Sequence, residues 1–74
     1  MIGMLWFDHD PQTNLDQKLR QAVGYFTGKY GAAPTWCRVH PSMLAEEPQV
    51  GVIRVIADRR ILPHHFYLGV GDGG

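Results

Sequence analysis

The amino-acid sequence predicts an α+β domain, with one amphipathic helix packed on one face of a three- or four-stranded mixed sheet in the order β-α-β-β-β. Apolar residues recur at helical spacing in one segment, and apolar stretches of strand length lie on both sides of it. The chain has 74 residues, of which 45% are hydrophobic and 19% charged, enough for one small core. We therefore expect one compact domain over residues 1–70 and a flexible tail over residues 71–74.

The helix is predicted from a single stripe of apolar side chains. The stripe contains Leu15, Leu19, Ala22, Val23, Phe26 and Tyr30. Thr13 and Asn14 precede it, and each can accept a hydrogen bond from a free backbone N–H, with Asp16 or Gln17 completing a capping box. Gly31 suits the left-handed residue that ends a helix. The predicted helix therefore covers residues 15–30.

Four other stretches have the length and composition of strands. They are residues 4–7, 35–40, 50–57 and 65–70. A single helical turn is predicted over residues 41–45, ended by Pro48, and a chain reversal over residues 58–63. If the first two strands share a sheet, the crossover rule makes them parallel, with a right-handed connection through the helix.

Side-chain alternation divides the last three strands into two different faces. The apolar set, expected to face the helix, contains Cys37, Val39, Ile53, Val55, Ala57, Phe66, Leu68 and Val70. The other set contains Trp36, Arg38, His40, Val52, Arg54, Ile56, His65, Tyr67 and Gly69. Since one helix covers only one face, the second set is predicted to meet solvent or a partner.

This mixed aromatic and basic face predicts binding rather than catalysis. Aromatic residues and arginine are enriched at protein interfaces, and Val52 and Ile56 favour dry contact. The first interpretation is a non-catalytic protein-interaction module, acting as a homo-oligomer such as a homodimer, or as a component of a larger assembly. The predicted partner-binding residues are Trp36, Arg38, His40, Arg54, His65 and Tyr67.

A single-stranded nucleic-acid-binding module is the alternative on the same face. Trp36 and Tyr67 would stack on bases, while Arg38 and Arg54 would contact phosphates. The formal net charge is zero, with seven basic and seven acidic residues, and this balance opposes the alternative because non-specific nucleic-acid binding needs a basic excess.

A small metal-binding protein or a shared-site enzyme subunit is the second alternative. Cys37 and His40, joined by His64 or His65, have a loosely ligand-like spacing. Asp8, His9 and Asp10 form a conceivable acid/base set, although such residues before a proline are typical of a turn. Because alternation buries Cys37 and no phosphate-binding or nucleophile motif is present, we expect no catalytic residue, no metal and no cofactor.

Cysteine usage and apolar runs predict a cytoplasmic protein without membrane contact. One cysteine is present, so no disulfide can form within the chain, and a reducing compartment is expected. The apolar stretch at residues 4–7 lacks a basic leader, and no apolar run approaches the roughly 20 residues of a membrane span.

Overall fold

The computed structural model describes residues 2–44 and 53–71. Its elements are β1 (Ile2–Phe7), α1 (Leu15–Tyr30), β2 (Trp36–Val39), a 3₁₀ turn (Pro41–Met43), β3 (Arg54–Ala57) and β4 (His65–Val70). The α+β class and the order β-α-β-β-β are confirmed. No helix in this part of the chain is long and apolar enough to cross a lipid bilayer.

The four described strands form one mixed sheet in the order β1-β4-β2-β3. The C-terminal strand β4 lies between β1 and β2 and pairs antiparallel with both, so Leu68 stands between Met4 and Cys37. β1 and β2 therefore run parallel to each other without pairing directly. β3 pairs parallel with β2, with Trp36 beside Arg54. β1 and β3 are the two edges of this sheet.

The helix begins and ends at the predicted residues. Of the predicted capping alternatives, Asn14 and Gln17 form the capping box: the Gln17 N–H donates to Asn14 Oδ1 at 2.8 Å, and the Asn14 N–H donates to Gln17 Oε1 at 3.1 Å. At the other end Gly31 has φ +75° and donates its N–H to the Thr27 carbonyl at 2.9 Å. Both ends thus satisfy backbone groups that a helix leaves free.

Several boundaries differ from the sequence predictions. β1 begins at Ile2, two residues before its predicted start, and β2 covers four of the six residues predicted for it. β4 has its predicted bounds, and the 3₁₀ turn has Pro41 at its first position. β3 begins at Arg54, so Ile53, predicted as part of that strand, lies before it. Predictions for residues 45, 48, 50–52 and 72–74, including most of the predicted flexible tail, lie outside the described residues.

The core lies between α1 and the sheet face that carries the predicted apolar set. Its buried members are Met4, Leu19, Ala22, Phe26, Cys37, Val39, Phe66 and Leu68. Ile53, Val55 and Val70 are partly buried against this cluster. Ala57 is the exception, since it is exposed: it ends the edge strand β3, and among the described strands only β2 lies beside it.

Candidate protein interface

The outer face is the sheet face opposite α1, and the strand register fixes its neighbours. Leu5, Tyr67, Arg38 and Ile56 lie in one row across the four strands. Side chains in such a row are close enough to interact. The contacts described below divide this face into a half built on β2 and β3, and a half built on β1 and β4.

Trp36 is the centre of the first half and is almost fully buried. Trp36 is 2% exposed. The Tyr67 ring lies 5.4 Å from it, and the Arg38 guanidinium carbon lies 5.8 Å from its ring centre. Gly69, directly opposite Trp36 in the register, has no side chain to hold these groups apart. The expectation that Trp36 presents an open ring for stacking is therefore wrong.

Asp58, immediately after β3, binds two cationic side chains, those of Arg38 and Arg60. Its side chain is 8% exposed. Arg60 donates from its backbone N–H, Nε and Nη2 at 2.9, 3.0 and 2.9 Å, and Arg38 donates from Nη1 at 3.1 Å. The side-chain hydrogen bonds from Arg60 are the main cause that holds the pKa of Asp58 well below its usual range, with the Arg60 backbone N–H and Arg38 adding to it. The carboxylate thus ties β2 to the loop after β3.

Replacing Asp58 by asparagine is expected to lower the free energy of unfolding at neutral pH. Because the folded-state pKa lies below the ordinary value of 3.8, this stabilisation is complete above that value and disappears as the pH falls through the folded-state pKa. Urea denaturation of wild type and Asp58→Asn, from neutral pH to about pH 3, should show a difference that shrinks in acid.

Asp16→Asn is the control for that experiment. Asp16 forms an exposed i,i+4 pair with Arg20 at 2.7 Å, and such pairs contribute less than about 0.5 kcal/mol. A difference between wild type and Asp58→Asn that stays constant into acid would contradict the assigned role of the carboxylate.

The second half of the outer face exposes large apolar side chains. Leu5 and Phe7 of β1 are 59% and 54% exposed, and Leu62 of the β3–β4 loop is 66% exposed. We call these three residues the apolar patch. Single exposed apolar residues are ordinary on protein surfaces, whereas a group of them indicates an interaction site.

An open pocket of about 230 Å³ lies between two members of the patch, Leu5 and Leu62. It is lined by Leu5, Arg60, Ile61, Leu62 and His65. The Phe7 ring lies 4.8 Å from the His65 ring and 5.0 Å from the His9 ring, and it stacks on the latter. The patch is therefore continuous from β1 to the loop, with imidazole rings at one end.

The predicted partner-binding residues do not form a single exposed surface. Arg54 is exposed at the far edge of the sheet, while His65 and Tyr67 are partly buried. His40 caps the 3₁₀ turn, where its Nδ1 accepts from the Ser42 N–H at 3.1 Å. With Trp36 and Arg38 engaged as described above, binding by these six residues stays a prediction.

Sequence reasoning did not single out the apolar patch. The signal was available for Leu5 and Phe7, because alternation from the inward-facing Met4 and Trp6 places them on the outer face. A strand that is apolar at every position conceals this division. Leu62 lies in a loop, where no periodicity indicates which way a side chain points.

The groups considered for catalysis or metal binding are buried, form hydrogen bonds within turns, or are not placed to share a metal ion. Cys37 is buried, and burial raises the pKa of its thiol to about 12, so the reactive thiolate is scarce at neutral pH. Asp8 and Asp10 accept hydrogen bonds from the backbone N–H groups of Asp10 and Gln12, at 3.0 and 2.8 Å, in the turn before α1. Among the described residues, no three His, Cys, Asp or Glu side chains are placed to hold a metal ion.

Comparison of the chain with known protein families, with curated proteins and with solved structures finds no match.

Proposed function

We propose that this chain is a non-catalytic protein-interaction module that self-associates through the apolar patch. The observation that carries the proposal is the joint exposure of Leu5, Phe7 and Leu62. Leu5 and Leu62 line one pocket, and the Phe7 ring lies 4.8 Å from the ring of His65, which lines the same pocket. Apolar side chains contribute most to association when they are grouped and can be buried together. A neutral chain also favours self-association, since two copies with no net charge do not repel each other at long range.

The distribution of charge and aromatic surface favours a protein partner over nucleic acid. A nucleic-acid platform needs open rings and available cations. Trp36 is covered, and the Arg38 guanidinium lies against both its ring and the Asp58 carboxylate. The large exposed apolar side chains of this surface, Leu5, Phe7 and Leu62, are aliphatic or phenyl, which suits dry contact with a second apolar surface.

Sedimentation velocity of the purified chain, from low to high micromolar concentration, tests the proposal. We expect a reversible shift from monomer to dimer. Leu62→Ser and Phe7→Ser should each raise the dissociation constant at least about tenfold, because full burial of such a side chain contributes roughly 1.5–3 kcal/mol and the dimer loses it from both copies. Gln21→Ser, at an exposed position on α1, is the matched control and should leave the dissociation constant unchanged.

Two outcomes would contradict this proposal. A chain that stays monomeric at every concentration would remove self-association, and binding of single-stranded oligonucleotides would then become the interpretation to pursue. A dimer that tolerates both serine variants would place its interface away from the apolar patch.

A further inference from the structure

The two edges of the sheet differ in how they are protected against pairing with another strand. β3 has four residues and starts with the exposed Arg54. β1 has six residues, and none of them is charged or a proline. Proteins ordinarily protect an edge with charges, prolines, bulges or short strands, because an unprotected edge pairs with other chains. β1 lacks these protections.

The hydrogen bonds that continue the β1–β4 ladder show which backbone groups of β1 face outward. The Asp8 N–H donates to the His64 carbonyl at 3.0 Å. Trp6, which pairs with Phe66, lies two residues before Asp8, so its backbone groups point in the same direction as those of Asp8. In an antiparallel pair, alternate residues direct both N–H and C=O at the neighbouring strand. Trp6 and Met4 therefore face β4, and the backbone groups of Gly3, Leu5 and Phe7 face the free edge.

We infer that this edge pairs with β1 of a second copy, antiparallel about a two-fold axis, with Leu5 opposite Leu5 of the second copy. The inference rests on the proposed self-association. Centring the pair on Leu5 places Gly3 opposite Phe7, so all three outward-facing residues exchange bonds, about six in total. If the register shifts by two residues, one of Gly3, Leu5 and Phe7 no longer lies opposite any of these three residues in the second copy.

Charge supports this register. Every residue of β1 is uncharged, and Asp8 falls opposite Ile2 of the second copy rather than opposite another acid. Like charges directly opposite each other would destabilise a pair of strands. The absence of such a clash makes two copies of this strand compatible with each other.

The shape of the β1 edge also supports the register centred on Leu5. The Tyr67 ring lies where a side chain at position 3 would stand: a Cβ added to Gly3 would overlap its hydroxyl and come within 2.8 Å of its Cζ. In the paired edge, Phe7 of the second copy stands opposite Gly3, where it meets the Tyr67 ring instead of a competing side chain. Aromatic neighbours across strands stabilise such pairs.

The helix side of the edge also has an exposed aromatic ring. Tyr25 lies 5.0 Å from Trp6 of β1 and is 54% exposed. Pairing of the two β1 edges places the two β4 strands about 14 Å apart, three strand spacings. Since α1 packs mainly over β4, the space between the two helices would be lined by Tyr25 from each copy.

Leu5→Pro and Leu5→Ala, compared by sedimentation velocity, test the pairing. Both shorten the side chain, but only proline removes the outward N–H, and proline is tolerated on an edge where that group makes no internal bond. We expect Leu5→Pro to raise the dimer dissociation constant at least about tenfold above that of Leu5→Ala. Equal constants for the two variants would overturn the pairing and leave the proposed self-association standing.

Amide hydrogen exchange of the wild type gives a second result that does not depend on folding of the proline variant. The amides of Leu5 and Phe7 should exchange more slowly as the protein concentration rises through the dimerisation range. A dimer in which these two amides exchange at the monomer rate would overturn the pairing. A wild type that is monomeric throughout would overturn both the pairing and the proposed function.

Discussion

Phe66→Ala is expected to remove a large share of the free energy of unfolding. Phe66, the second residue of β4, is fully buried between Trp6 and Val39 of the neighbouring strands. Truncating a buried phenylalanine to alanine costs about 3–5 kcal/mol. A chain of 74 residues has a total stability of roughly 4–11 kcal/mol at 0.05–0.15 kcal/mol per residue, and small domains lie toward the lower end. Urea denaturation followed by circular dichroism measures the loss.

Phe7→Ala is the matched control, because it makes the same truncation at a ring that is 54% exposed. In dilute protein it should change the free energy of unfolding by less than about 1 kcal/mol. Equal losses for the two variants would contradict the assignment of the core to the inner face of the sheet.

Gly3→Ala is expected to destabilise the protein by about 1–3 kcal/mol. The new Cβ would lie within 2.8 Å of Tyr67 Cζ and would overlap the hydroxyl of the same ring. The Tyr67 ring has to move, and this movement disturbs its packing against Trp36, whose ring lies 5.4 Å away. Thermal and urea unfolding of the variant measure the cost.

Two further variants separate this clash from a general effect of replacing glycine. At Gly24 of α1 an added Cβ meets nothing within 4 Å, so Gly24→Ala should stabilise the helix by about 0.5–1 kcal/mol. In a Tyr67→Ala background the cost of Gly3→Ala should nearly vanish, since the group it strikes is gone. An unchanged cost in that background would show that the ring is not its cause.

Local rules account for most of the fold that was predicted correctly. The bounds of α1 follow from its apolar stripe, the Asn14 cap and Gly31, all of which act within a few residues of each other. The inward position of Cys37, Val39, Phe66 and Leu68 follows from alternation. Strand order did not follow, because placing β4 between β1 and β2 depends on contacts between residues far apart in the sequence.

The candidate site was less predictable than the fold, for the same reason. Alternation correctly placed Trp36 and Arg38 on the outer face, but it carries no information about what neighbouring strands and loops add there. Gly69 opposite Trp36, and Asp58 beside Arg38, became neighbours only when the sheet assembled. As a result Trp36 is covered within the half built on β2 and β3, and the large exposed apolar side chains of the sheet lie on β1.

Periodicity and hydrogen bonds between near neighbours are enough to predict the α+β class, the helix with its caps, and which side chains of β2 and β4 face the core. They do not predict that β1 is an edge strand, that Trp36 is buried or that Leu5, Phe7 and Leu62 are exposed together, and these features follow from how the strands and loops assemble. Exposure is a property of the assembled surface, since a side chain becomes covered only when distant segments of the chain pack against it.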